Sequence, residues 1–127
     1  MTVTVGARLP LGVGVGGLAI LAFLPEHERD EVLKKNAARF ARRKLTVAEL
    51  RERLREVRRQ GYAFTDSGVV PGTHVIAVPV FTPSGEPVAA LSISATARRL
   101  PAARARTLLP MLMAEAKRLG IAVAVAR

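Results

Sequence analysis

The sequence contains no cysteine and no tryptophan, and only one tyrosine, four phenylalanines and two histidines in 127 residues. Without cysteine there is no disulfide framework, no thiolate metal site and no cysteine nucleophile. His27 and His74 alone do not build a histidine-rich metal centre, so no metal and no cofactor is implied. An aromatic content of 4% leaves few of the stacking platforms that hold single-stranded nucleic acid. Acidic residues are also few, 10 against 20 Lys and Arg, giving a net charge of +10. Such a balance favours polyanions through phosphate neutralisation and counterion release, but it specifies no partner. Sixteen of the twenty bases are arginine, which coding bias can produce as readily as function.

What is present is apolar: half of the residues are hydrophobic, which excludes a disordered tail. A chain of this length buries roughly 65% of its unfolded surface, enough for one domain's core. No internal repeat or low-complexity linker divides it, and an intracellular protein fits best. The uncharged run from Leu9 to Pro25 has the look of a signal-peptide core, but it is shorter than the ~20 residues that span a bilayer. Gly12, Gly14, Gly16 and Gly17 break it, and no small-residue cleavage site follows Phe23. It reads instead as a glycine-rich turn leading into a buried helix.

Val3 and Val5 alternate with Thr2 and Thr4 as a short strand. Gly12 to Gly17 form the turn, and Leu18 to Leu24 form a helix that is apolar on every side. Pro25 opens a second helix, with Glu26, Glu28 and Asp30 early and Lys34 and Lys35 late, matching the helix dipole. Ala37 to Leu45 is a basic stretch. Thr46 and Glu49 make a capping box, Val47, Leu50, Leu54 and Val57 follow at helical spacing, and Gly61 closes that helix. Tyr62 to Thr65 and Thr73 to Phe81 read as strands. The turn Thr82 to Glu86 then joins the second of these to a strand from Pro87 to Ser94 as an antiparallel hairpin. Pro101 opens a last helix through Leu108, Leu112 and Leu119, where Pro110 is a kink point and Gly120 an end or an interruption.

Three constellations carry possible chemistry, and a fourth carries charge. Gly12, Gly14 and Gly17 satisfy the dinucleotide fingerprint G-x-G-x-x-G, but no βαβ unit and no acidic strand end follow. Ser92 and Ser94 share one strand face, so their hydroxyls project together towards a small polar ligand or towards solvent. Asp66, His74 and Ser92 suggest a hydrolytic triad, yet no nucleophile elbow surrounds Ser92, and the chain is read as a non-enzyme. Arg51, Arg55, Arg58 and Arg59 interleave with Glu49, Glu52 and Glu56 as a solvated face, pairing Glu52 with Arg55 and Arg51 with Glu56.

The order of these motifs resembles the effector-binding domain of IclR-type transcriptional regulators. The resemblance rests on Pro10-Leu11, a small-residue turn and the run Gly17 to Pro25. It continues through Gly61-Tyr62-Ala63, Pro71-Gly72 and Ile76 to Val80, then Ala89 to Ser94 with Arg99-Leu100, and the closing helix with Pro110. It implies an α+β fold, a GAF-like or profilin-like antiparallel sheet with flanking helices, incomplete at the N-terminus. Residues 1–127 would form a single partial effector-binding domain, without the family's N-terminal winged helix-turn-helix. By similarity, a small organic acid would meet amides of Gly14, Val15 and Gly16 and hydroxyls of Ser92 and Ser94. Val75 and Leu11 would be walls, and Asp66 lies beside the family's acidic positions, which fall on Thr65 and Gly68. Loss of several polar positions implies a more apolar pocket.

The resulting expectation is a cytoplasmic ligand sensor, homo-oligomeric, with no membrane partner. DNA would be reached only through the N-terminal domain, and the effector would act by shifting populations of domain or subunit arrangements. The alternative is a stand-alone basic nucleic-acid-binding domain using the Arg39 to Arg59 segment, whose affinity would fall steeply with salt.

Overall fold

A computed structural model describes residues 15–42, 44–65 and 72–126. Its elements run α1 (Val15–Leu21), α2 (Glu26–Lys35), α3 (Ala37–Arg42), α4 (Val47–Gln60), β1 (Ala63–Thr65), β2 (Thr73–Phe81), β3 (Pro87–Thr96) and α5 (Ala102–Ala126). The three strands form an antiparallel sheet in the order β1-β2-β3, an α+β arrangement with helices on both faces. The candidate strand at Val3 and Val5 lies outside the described residues.

The central strand explains the layering. Ile76 to Val80 are buried without interruption, because β2 is covered on both faces and polar alternation has no place there. Val75 and Ala77 turn to the layer of α1 to α4, whose core holds Leu18, Leu21, Leu33, Phe40, Leu50 and Leu54. Ile76, Val78 and Val80 turn to α5, where Leu100, Ala105, Leu112 and Ala116 complete a second core. Strand β3 is different: in its second half Leu91, Ile93 and Ala95 are half-buried while Ser92, Ser94 and Thr96 are exposed. Its α5 side is covered and its other side is open there, which restores the period of two.

Local chemistry sets the helix ends. The Glu49 amide donates to the Thr46 hydroxyl at 3.1 Å, and Gly61 ends α4 at φ 89°, where a side chain would be strained. Arg58 donates to the Ala22 carbonyl at 3.0 Å, so α4 satisfies an acceptor at the end of α1. In α2 the acidic first turn and basic last turn fall where the dipole favours them.

Four expectations are corrected. The glycine run is not a turn up to Gly17, because α1 starts at Val15 and takes Gly16 and Gly17 into its first turn. A Cβ built on Gly16 would stand 3.6 Å from that of Ala90, so the helix lies close on β3. The burial of Val15 and Leu18 there offsets the roughly 1 kcal/mol that a helical glycine costs. The same helix ends at Leu21 rather than Leu24. Strand β3 runs two residues past Ser94, because His74 and Thr73 still offer it partners. Helix α5 passes through Gly120, which is buried and neither ends nor interrupts it.

Candidate functional site

Register brings the strand residues of the expected site together. Ser94 lies opposite Val75 and Ser92 opposite Ala77, so all four share the α1 side of the sheet. The two serines are exposed, Val75 is half-buried, and two residues of strand separate the serine positions by about 6.6 Å. Two hydroxyls at that spacing can each donate to a different oxygen of one small anion. Gly16 adjoins this row, since its nearest side chain is Ala90, the next residue of the same face. Ala90 therefore extends the same face, a position that the period of two already marks in the sequence, two residues before Ser92.

Val15 and Gly16 stand in the first turn of α1, not in a preceding loop, and the Val15 side chain is buried in the core. Their amides belong to the group that a helix leaves without internal acceptors. Gly14, Leu11 and Asp66 lie outside the described residues.

The sheet separates His74 and Ser92 of the suggested triad. His74 pairs with Ala95 on the α5 side, whereas Ser92 faces the α1 side. His74 has a structural role instead. Its Nδ1 donates to the Leu100 carbonyl at 2.7 Å, and its ring meets Phe64 edge-on at 5.5 Å. It ties the start of β2 to the loop before α5.

The arginine face of α4 is largely balanced. Arg55 pairs with Glu52 at 2.9 Å and Arg59 with Glu56. The latter contact raises the Arg59 pKa above its ordinary value, chiefly through the hydrogen bond that Arg59 donates to Glu56. Arg51 does not pair with the expected Glu56, which stands five residues on and about 140° round the helix; it reaches Asp30 of α2 at 2.8 Å. Arg29, Arg51, Arg55 and Arg58 line a recess of about 160 Å³ together with Glu26, and two of these arginines are engaged by other elements, Arg51 by Asp30 and Arg58 by the Ala22 carbonyl. Among the described residues no helix is long and apolar enough to cross a membrane.

Known proteins share both the sequence pattern and the layering. The family profile described as "Bacterial transcriptional regulator IclR C-terminal" matches residues 1–120. The transcriptional repressor IclR of Escherichia coli K12 is 29% identical over 96% of this chain and 45% of its own length. The chain thus spans less than half the length of the curated relatives it matches. Among solved structures, the C-terminal domain of the E. coli transcriptional regulator KdgR aligns at a TM-score of 0.76 and 32% identity, covering 91% of this chain and 71% of that one. The inducer-binding domain of Acinetobacter PobR, a double mutant in complex with 3-hydroxybenzoic acid, aligns at a TM-score of 0.71 and 25% identity over 91% of this chain and 67% of that one. These relatives are named as regulators, one of them a repressor, and none as an enzyme. By its sequence from residue 1 to 120 and by its α+β layering alike, the chain belongs to the IclR family, in the part that corresponds to its C-terminal regulatory domain.

Proposed function

We propose that residues 1–127 act as one effector-binding domain of a cytoplasmic transcriptional regulator, sensing a small organic acid. The observation that carries this reading is the exposed row of Ser92 and Ser94 opposite Val75, beside Gly16, in a chain of this family. The hydroxyls would donate to the carboxylate, the amides of Val15 and Gly16 would approach from α1, and Val75 and Ala90 would carry the apolar part. Gly14 and Asp66 complete the proposed set. Kinship with a domain crystallised with 3-hydroxybenzoic acid supports the class of ligand.

Operator DNA would be contacted by the family's winged helix-turn-helix, in a homo-oligomer, and not by this chain. Effector binding would favour one arrangement of domains or subunits by its differential affinity for the two, and operator affinity would follow. Family membership supports this reading over the basic nucleic-acid module; the exposed ion pairs of Arg51, Arg55 and Arg59 are too weak to decide it.

The test compares two kinds of ligand. A panel of small aliphatic and aromatic acids, 3-hydroxybenzoate among them, is titrated into the chain by calorimetry, and a mixed-sequence DNA duplex is titrated at low and at high salt. The expected result is saturable 1:1 binding of at least one acid, with weak DNA binding. Absence of any acid binding, together with tight DNA binding that falls steeply with salt, would overturn it.

A further inference from the structure

A substantial apolar cavity lies away from the serine face. It lies at the other end of α1, where β2 runs on past Ala63, the first residue of the antiparallel β1. Strand β1 pairs only with Val75 to Ala77, so Val78 to Phe81 leave the sheet edge without a strand on that side among the described residues. Phe23 closes one wall, meeting Phe81 edge-on at 5.3 Å, and Met113, Ala116 and Ile121 of α5 close the other. The volume of this half-open groove is about 570 Å³, within the range of roughly 300–1,000 Å³ that holds small organic ligands.

Two features identify an occupant. First, the lining is almost wholly apolar, and Phe81, Met113 and Ile121 still expose 37%, 42% and 51% of their surface, which an apolar ligand body would cover. Thr82, the buried polar residue of the wall, already has its hydroxyl engaged by the Glu86 amide and by Ser84. Second, Lys117 is the only charged residue lining the cavity among the described residues, and no carboxylate among them lines it. A lysine keeps its stem along apolar surface and its ammonium in water, so the exposed Lys117 can bring one positive charge to the rim of the apolar slot.

We infer that this cavity is a second binding site, separate from the serine face, for a lipophilic anion: an apolar body between Phe23, Phe81 and Met113, with a carboxylate held at the mouth by Lys117. The inference does not depend on the proposed sensing role, because it uses none of the same residues. The chain's net charge of +10 adds a general attraction for such anions.

The probe is dodecanoate, kept below its micelle concentration, with the chain carrying ¹³C-methyl methionine. Three methyl signals arise, from Met1, Met111 and Met113. The Met113 signal should move saturably while that of the exposed Met111, which does not line the cavity, stays in place. Lys117→Gln should weaken dodecanoate about threefold, in line with a solvent-exposed ion pair, and Lys117→Glu about tenfold. Neither should affect dodecanol, and the Ser92→Ala/Ser94→Ala variant should bind dodecanoate as the parent does. An unmoved Met113 signal, or dodecanoate affinity indifferent to Lys117→Glu, would overturn the inference. So would sedimentation showing a dimer that Ile121→Glu dissociates and dodecanoate does not, since the face would then belong to a second copy.

Discussion

Single residues hold this fold at points where the alternatives are sterically or electrostatically closed. Gly120 is the sharpest case. A Cβ built there would overlap the Phe81 carbonyl oxygen, which is backbone and has little freedom to withdraw. The helix needs this glycine for proximity, not for an unusual dihedral angle. Gly120→Ala should therefore destabilise the chain by about 2–3 kcal/mol in urea unfolding, or free the last turns of α5, read as loss of amide protection after residue 117. Stability and protection equal to the parent would show that α5 does not approach β2 so closely. In the sequence Gly120 stands inside an apolar run, where a helix end is the default reading of glycine. Nothing local reveals that a strand carbonyl lies across from it. His74 makes the same point from the polar side, since its partner Leu100 is 26 residues away.

Elements are legible in the sequence where their signals are local. Thr46 and Glu49 mark the start of α4 and Gly61 its end, because capping depends on residues three apart and on one dihedral angle. Thr46→Ala should cost about 1 kcal/mol, measurable as a lower urea midpoint with an unchanged slope. No change in midpoint would mean that tertiary contacts alone set that helix end. The limits of β2 and the Thr82 to Glu86 turn follow equally from the strand residues and the turn chemistry around them. What escapes a sequence reading is decided by packing partners. Helix α1 begins inside a glycine run because Val15 and Leu18 are buried against the sheet, and Arg51 finds its carboxylate in Asp30 of α2, 21 residues away in sequence. Of the candidate site, the serine row and its alternation are readable, and register then sets Val75 opposite Ser94. The apolar cavity is not readable, because its walls come from the end of α1, β2 and α5 at once.

At the scale of the whole molecule, the two layers give the sheet two different surfaces. The α5 side is packed along the length of β2 and β3, while the α1 side is covered near Ala90 and open over Ser92 and Ser94. The proposed sensing role would use this asymmetry: a packed layer behind the hydroxyls, and a face that a ligand can reach. The net charge of +10 is a property of this whole surface, and it favours anion encounter without selecting an anion. Whether the serine row binds the proposed effector acid is decided by a calorimetric titration of the Ser92→Ala/Ser94→Ala variant with the tightest acid of the panel. Both side chains are exposed, so the melting temperature should stay within about 2 °C of the parent. The dissociation constant should rise at least about tenfold, as expected for two lost hydrogen bonds to a charged group. An unchanged dissociation constant in the folded double variant would contradict the account and move the effector away from this face.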